Sequence, residues 1–344
     1  MKQFIIFLII IFSGLGFFYF KKQDNKPTIS SPILKIYADS SFVAKWGPGP
    51  DLQNLFQKKT GNKIEFVESS DLGMTLQKLA FENEASTADV VLGIDQFDLV
   101  KQTPKIKWKE INKTDSENYL ENITQLPDSK YFVPYDWAPM SFVGRQSAGA
   151  KIEKLDDLLK PELKGKIALM DPRTSSPGLQ FLAWVFESKS PDEAKIFLKS
   201  LLTQAHSYSP GWSTAYGLFK NKQVDLVFSY VTSPVYHAVE EKNTDYISYE
   251  FLEPHPVQVE FAGVPATCKN CAEAETFVNF LNSPEAQKVI MQKNYMFPVI
   301  KNIKEGTAFD SIKIYRTAPI KMYDTQTLNR WIEQWSQLRS SEVE

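Results

Sequence analysis

The chain has 344 residues, with 39 Lys and Arg against 41 Asp and Glu, and it is 43% hydrophobic and 13% aromatic. That balance is too apolar and too weakly charged for disorder and lacks the basic excess of a nucleic-acid binder. Three His and two Cys leave little for a multinuclear metal site. The length exceeds what one core usually spans, so two lobes are expected, and the aromatic excess must serve either a core or a stacking site.

Residues 1–32 read as an address. Lys2 precedes an apolar run from Phe4 to Phe20, and Lys21-Lys22 follows. A run of about 17 residues lies between a signal-peptide core and a membrane span. No small-residue cleavage site and no lipid-accepting Cys follows. The segment is therefore expected to export the chain, as a cleaved signal or an uncleaved anchor, with a linker from Asp24 to Pro32. Beyond it, 35 basic residues face 40 acidic ones, a net charge of −5. An acidic exported body argues against a polyanionic partner.

The next residues predict β-α-β-α-β. Leu34 to Tyr37 is a short strand ending at Asp39. Pro50 starts a helix through Leu52, Leu55 and Phe56, closed by Gly61. Lys63 to Val67 alternates as a strand, Met74 to Phe81 is helical, and Asp89 to Gly93 is a buried strand. This order implies an α/β fold with a parallel sheet, whose ligands sit at the carboxyl ends of strands. The turns after Tyr37, Val67 and Leu92 form the candidate mouth. A second unit follows Val133 to Trp137. It has a strand at Gly165–Met170, helices at Leu179–Phe186 and Ala194–Leu202, and a strand at Val224–Tyr230. Val257 to Phe261 then reads as a strand crossing back, followed by helices at Glu273–Leu281 and Glu285–Gln292.

Thr174-Ser175-Ser176-Pro177-Gly178 opens a helix, so its free N–H groups would suit an anion, although ordinary helix capping accounts for the same residues. Gly211-Trp212-Ser213 offers a stacking face or a packed Trp. Tyr230 and Tyr236 flank a strand-to-helix turn and read as cleft lining or core. Trp46 sits in the rigid Trp46-Gly47-Pro48-Gly49-Pro50 turn, and Asp71 and Asp95 read as solvated caps unless a ligand recruits them. None of His206, His237 and His255 lies in a catalytic motif. Cys268-Lys269-Asn270-Cys271 has redox spacing at a helix start, but a local disulfide is the simpler reading in an oxidising compartment.

Several of these strings, taken in order, resemble the thiamine-binding proteins of bacterial ABC importers. They are Lys35-Ile36-Tyr37, Trp46 to Pro50, Ala88 to Asp95, Asp171 to Ser175, Gly211-Trp212-Ser213, Ala215 to Phe219, and Thr232-Ser233-Pro234 with Tyr236-His237. The resemblance runs from about Leu34 to Trp335. It implies a two-lobed periplasmic-binding-protein-like fold (class II) with ligand in the interlobe cleft. The implied lobes are 33–138 with a return over 259–305, and 139–258 with C-terminal helices over 306–344. It also implies a non-enzymatic periplasmic binder of thiamine, thiamine monophosphate or thiamine pyrophosphate that serves an ABC permease. No cofactor, catalytic set, metal site or nucleic-acid partner is expected, and membrane contact runs through the permease and, if it stays uncleaved, the N-terminal segment.

Position by position, the resemblance assigns Trp46 and Asp71 from lobe one, and Ser175, Gly211, Trp212, Tyr230 and Tyr236 from lobe two. Ser175 and the Gly211-Trp212 backbone would cradle a phosphate, and Trp212 and Tyr236 would stack on the ligand. Two departures stand out. Asp39 replaces a family aromatic, and Tyr295 replaces a Trp. Asp39 is therefore expected to pair directly with the thiazolium cation. Other readings are a polyamine or ferric-iron binder on the same scaffold, an exported thiol oxidoreductase using Cys268 and Cys271, and a thiamine-degrading enzyme. The last needs a cleft Cys that no mouth turn supplies.

Overall fold

The computed structural model describes residues 33–69, 72–82, 86–101, 103–114, 116–124 and 130–341, with the side chains of 69 and 72–74 left aside. The expected export segment with its linker, and Asp71, fall outside the described residues.

In chain order the elements begin β1 (Ile33–Asp39), α1 (Ser40–Val43), α2 (Gly49–Thr60), β2 (Lys63–Ser69), α3 (Leu72–Glu82), β3 (Val90–Asp95), α4 (Asp98–Lys101) and α5 (Glu121–Thr124). They continue with β4 (Phe132–Arg145), β5 (Ile167–Met170), α6 (Ser176–Ser188), α7 (Pro191–Gln204), β6 (Ser207–Ser209), α8 (Trp212–Lys220), β7 (Leu226–Tyr230), α9 (Ser233–Glu240) and β8 (Tyr246–Ser248). The last are β9 (Val257–Gly263), α10 (Cys271–Phe280), α11 (Pro284–Asn294), β10 (Phe297–Pro298) and α12 (Thr325–Ser340). Local chemistry sets the ends. Gly61 stops α2 in the left-handed region (φ 79°), where its N–H bonds Gln57 O and a side chain would be strained. Ser190 starts α7 with a reciprocal capping box to Glu193.

The strand order is β2-β1-β3-β9-β4-β7-β5-β6, with β8 and β10 joined to β4. The predicted parallel pairing holds for β1 with β2 and β3, and for β5 with β6 and β7. It does not extend across the middle, where β9 lies antiparallel to both β3 and β4, and β4 lies antiparallel to β7. The chain has left the sheet and come back, so these strands are not joined by a single right-handed crossover.

Strand β4 is 14 residues long and buried throughout. Its first half, Phe132 to Pro139, pairs with β9, and its second half, Met140 to Gly144, pairs with β7. One strand thus serves both lobes. Lobe two packs around Phe142, Phe181, Trp184, Phe228 and Phe251, with Trp331 and Trp335 of α12 in the same cluster. Phe142 meets its neighbours edge-on or tilted, as at Phe142–Phe181 (5.9 Å, 90°) and Phe142–Phe228 (5.4 Å, 56°), while Trp184 stacks on Phe228 (6.0 Å, 27°). Each buried side chain of this size contributes roughly 1.5–3 kcal/mol of transfer free energy. Most of the aromatic excess is therefore core. Lobe one packs in two clusters, one around Leu34, Phe56, Tyr135 and Phe277, the other around Tyr37, Trp137, Val259 and Phe297.

Candidate binding site

Three carboxylates lie in register across three neighbouring strands of lobe one. Asp95 of β3 pairs with Glu260 of β9, and Glu260 pairs with Asp136 of β4. Residues in such positions share a face of the sheet, and like charges opposite each other are unfavourable. Asp95 and Asp136 are completely buried. Asp39, at the end of β1, adds its negative charge to the fields at Asp136 and Glu260.

The bonds to these groups are incomplete. Asp95 Oδ1 accepts from the N–H groups of Phe97 and Asp98, both at 2.8 Å. Asp136 Oδ2 accepts from Asn294 Nδ2 at 2.7 Å. Among the described residues Asp95 Oδ2 and Asp136 Oδ1 are buried with no hydrogen-bond partner, while the Ser176 hydroxyl of α6 eases the charge on Asp95. Glu260 accepts from the Tyr135 hydroxyl at 2.8 Å and from Gln258 Nε2 at 3.2 Å. Among the described residues none of the four carboxylates makes an ion pair, though Lys101 of α4 lowers the cost of charge at Asp95. Burial pushes Asp95 up, and burial and then Glu260 push Asp136 well up. Burial, followed by the Asp39 charge, raises Glu260 to about 7. Burial and the same carboxylates hold the Tyr230 hydroxyl firmly protonated.

Lobe two presents the opposite chemistry. Ser175 caps α6, and its Oγ accepts from Gly178 N at 3.4 Å. Gly211 caps α8 without a side chain, and a Cβ there would meet nothing within 4 Å. The two helix starts are tied together, because Thr174 Oγ1 donates to Pro210 O at 2.8 Å and Asp171 N to Ser209 O at 2.9 Å. Two amino-terminal helix ends, with their free N–H groups and partial positive charge, thus lie side by side. Asp171 behind them is neutralised by Arg173 and Arg339. Burial raises its carboxyl, but the Arg173 bonds outweigh this and leave it below the usual range.

Rings connect the walls. Trp212 stacks on Tyr216 (4.6 Å, 25°), lies 6.3 Å from Tyr230, and donates its Nε1 to Ser229 Oγ at 2.9 Å. Tyr230 packs against the clusters of both lobes. Tyr236 meets Tyr295 edge-on at 5.3 Å and accepts from Lys220 Nζ at 2.7 Å. Tyr295, held in the left-handed region (φ 54°), donates to Glu240 Oε1 at 2.8 Å across the lobes.

Of the residues singled out from the sequence, Trp212 and Tyr230 lie within ring contact of each other, and Tyr236 lies against Tyr295. The rings that Trp212 and Tyr236 themselves meet differ. Trp46 is 53% exposed, and a Cβ on the next residue, Gly47, would come within 2.1 Å of Ser41 O, so its turn is pressed onto α1. Asp39 spends Oδ1 on capping α1, accepting from Ser41 N at 2.8 Å and Phe42 N at 3.0 Å. Asp95 is a cap as expected but a buried one, because α4 and β9 cover it. Sequence reasoning missed Asp136 and Glu260. Their signal is an acid inside a strand buried on both sides.

Other polar groups are structural. His237 bonds Tyr216 and Glu241, and His255 bonds Met140 O and Phe251 N. Cys268 and Cys271 form a disulfide at the start of α10. A groove of about 180 Å³ is lined by Phe97, Trp184 and Tyr323 among others, and reaches the row through Phe97, whose N–H bonds Asp95.

A family model described as bacterial extracellular solute-binding protein matches residues 52–317. The chain belongs to this family. Thiamine-binding periplasmic proteins are among the relatives of this solute-binding protein. That of Salmonella typhimurium (strain LT2) is 33% identical over 314 residues, 90% of this chain and 94% of its own. That of Escherichia coli (strain K12) is 33% identical over 289 residues, 83% of this chain and 86% of its own. A solved periplasmic thiamin binding protein matches with a TM-score of 0.82 at 31% identity, covering 90% of this chain and 96% of that one. The solute-binding protein therefore has the two-lobed class II architecture.

Proposed function

We propose that the protein captures thiamine and its phosphate esters in the periplasm and delivers them to an ABC permease, without chemistry on the ligand. The observation that carries this reading is the carboxylate row of buried Asp95 and Asp136 with half-buried Glu260 between them, with two orphaned oxygens and no ion pair among the described residues. Buried charge without a partner is costly, so the row calls for a cation. The thiazolium and aminopyrimidine of thiamine supply one and bring flat faces for Trp212, Tyr230 and Tyr236, worth about 0.5–2 kcal/mol per good cation–ring contact. The paired helix starts at Ser175 and Gly211 suit a phosphate at the other end. Asp39, Trp46, Asp71 and Tyr295 complete the proposed rim. Closure would run about β4 and β9, the strands shared by or next to both lobes.

The names of the relatives support thiamine, and so does the polarity of the site, acidic on one wall and donor-rich on the other. A linear diamine would call for acids at both ends. Ferric iron would call for phenolates, whereas Tyr230 is held protonated and Tyr236 is bonded to Lys220. Calorimetric titration with thiamine, its monophosphate and its pyrophosphate tests the reading. Tight binding with quenching of Trp emission supports it, and no heat with any of the three rejects it.

A further inference from the structure

We infer that ligand capture by this protein is proton-coupled: in the ligand-free state the Asp95–Glu260–Asp136 row holds a proton, and an entering cation drives that proton into solvent. The inference rests on the cation-binding reading above and adds a stoichiometry to it. Its basis is geometric. Three carboxyl groups sit in register on adjacent strands, Asp95 opposite Glu260 and Glu260 opposite Asp136. Three full charges in this row, with the charge of Asp39 acting on Glu260, have no counter-ion within ion-pair distance among the described residues.

The described neighbours supply neutral donors, among them the Ser176 hydroxyl of α6, which lowers the cost of charge at Asp95. From β4, Tyr135 donates to Glu260, and from β9, Gln258 does the same. From α11, Asn294 donates to Asp136. From β7, Tyr230 presents a neutral hydroxyl amid the carboxylates. Among the described residues the cation acting on the row is Lys101 of α4, which acts on Asp95 and Asp98, is itself weakened by burial, and is opposed by Lys105. These donors suffice for part of the charge. The remainder is relieved by a proton shared along the row, which titrates as a unit rather than at one residue. A bound thiazolium supplies the missing positive charge, so the proton leaves to the buffer and the overall charge balances.

Titrating the intact protein with thiamine in buffers of different ionisation enthalpy, at about pH 6, counts the protons exchanged. The expected result is a net release of about one proton per thiamine, with Kd tightening by up to about tenfold per pH unit until the row is ionised. Glu260→Gln and Asp136→Asn, each checked for folding by circular dichroism, should each reduce the release and flatten the pH profile. Binding with a buffer-independent heat in the native protein overturns the inference and leaves thiamine capture standing. A release that persists undiminished in both variants also overturns it. Failure to bind thiamine at any pH overturns both.

Discussion

The two walls of the proposed site achieve polarity by different means. Lobe one uses side-chain charge set on the sheet, with Asp95, Glu260 and Asp136 in register on β3, β9 and β4. Lobe two uses the backbone, with the ends of α6 and α8 laced together through Thr174 and Pro210. The first arrangement strains the protein, since it concentrates like charge in a buried place. The second costs almost nothing, because helix starts carry unpaired N–H groups anyway. Binding strength and folding stability should therefore oppose each other on lobe one and run together on lobe two.

The sharpest way to break this contrast is the double variant Asp136→Asn/Glu260→Gln. Each lost charge-assisted contact is worth about 1.5–3 kcal/mol, so thiamine affinity should fall by about a hundredfold or more, while the melting temperature of the ligand-free protein rises. The sign follows from linkage. Glu260 is raised to about 7 in the folded state from an ordinary 4.5, so the folded state holds the extra proton between those values. Stability is therefore greater at the acid end and is lost as pH rises through that window. Thermal scans at the two ends should show the native protein losing stability on going upward and the double variant losing less. An unchanged melting temperature would show that the row carries no strain.

Trp212→Ala should rank next. Loss of stacking and of the Ser229 bond should weaken every thiamine form by about tenfold and remove most of the ligand-induced quenching. Asp39→Asn keeps the α1 cap but removes a charge, and about a fivefold loss of thiamine affinity is expected. Equal affinity in a side-by-side titration would end the idea that Asp39 pairs with the cation. Ser175→Ala tests the other wall. It should lower stability by about 1 kcal/mol through the lost cap and weaken the phosphate esters more than free thiamine. Tyr295→Phe removes one interlobe bond to Glu240, and a change of only about twofold to fivefold is expected, seen as faster ligand release in stopped-flow.

The local features were legible in the sequence because they are local. Gly61 marks a helix end, Ser175 a helix start, and Trp212 a turn, all within a few residues of the pattern that reveals them. The helices over 49–60, 191–204 and 284–294 follow in the same way. Strand β4 was harder, because Pro134 and Pro139 lie inside it and proline argues against a central strand. Here the irregular pairing between Pro134 and Asp136 absorbs the first. The carboxylate row was invisible for a different reason. Positions 95, 136 and 260 are brought together only by register between distant segments, and each taken alone is one acid in an apolar stretch.

Strand β4 has one more consequence, for engineering. Since β4 contributes to both lobes, and lobe one takes β1 from the start of the chain and α10 and α11 from near its end, no single cut liberates either lobe as a continuous piece. A sensor built by splitting the chain into halves would leave each fragment without part of its core. A reporter inserted into an exposed turn, such as the one closed by Gly149, leaves every strand partner in place.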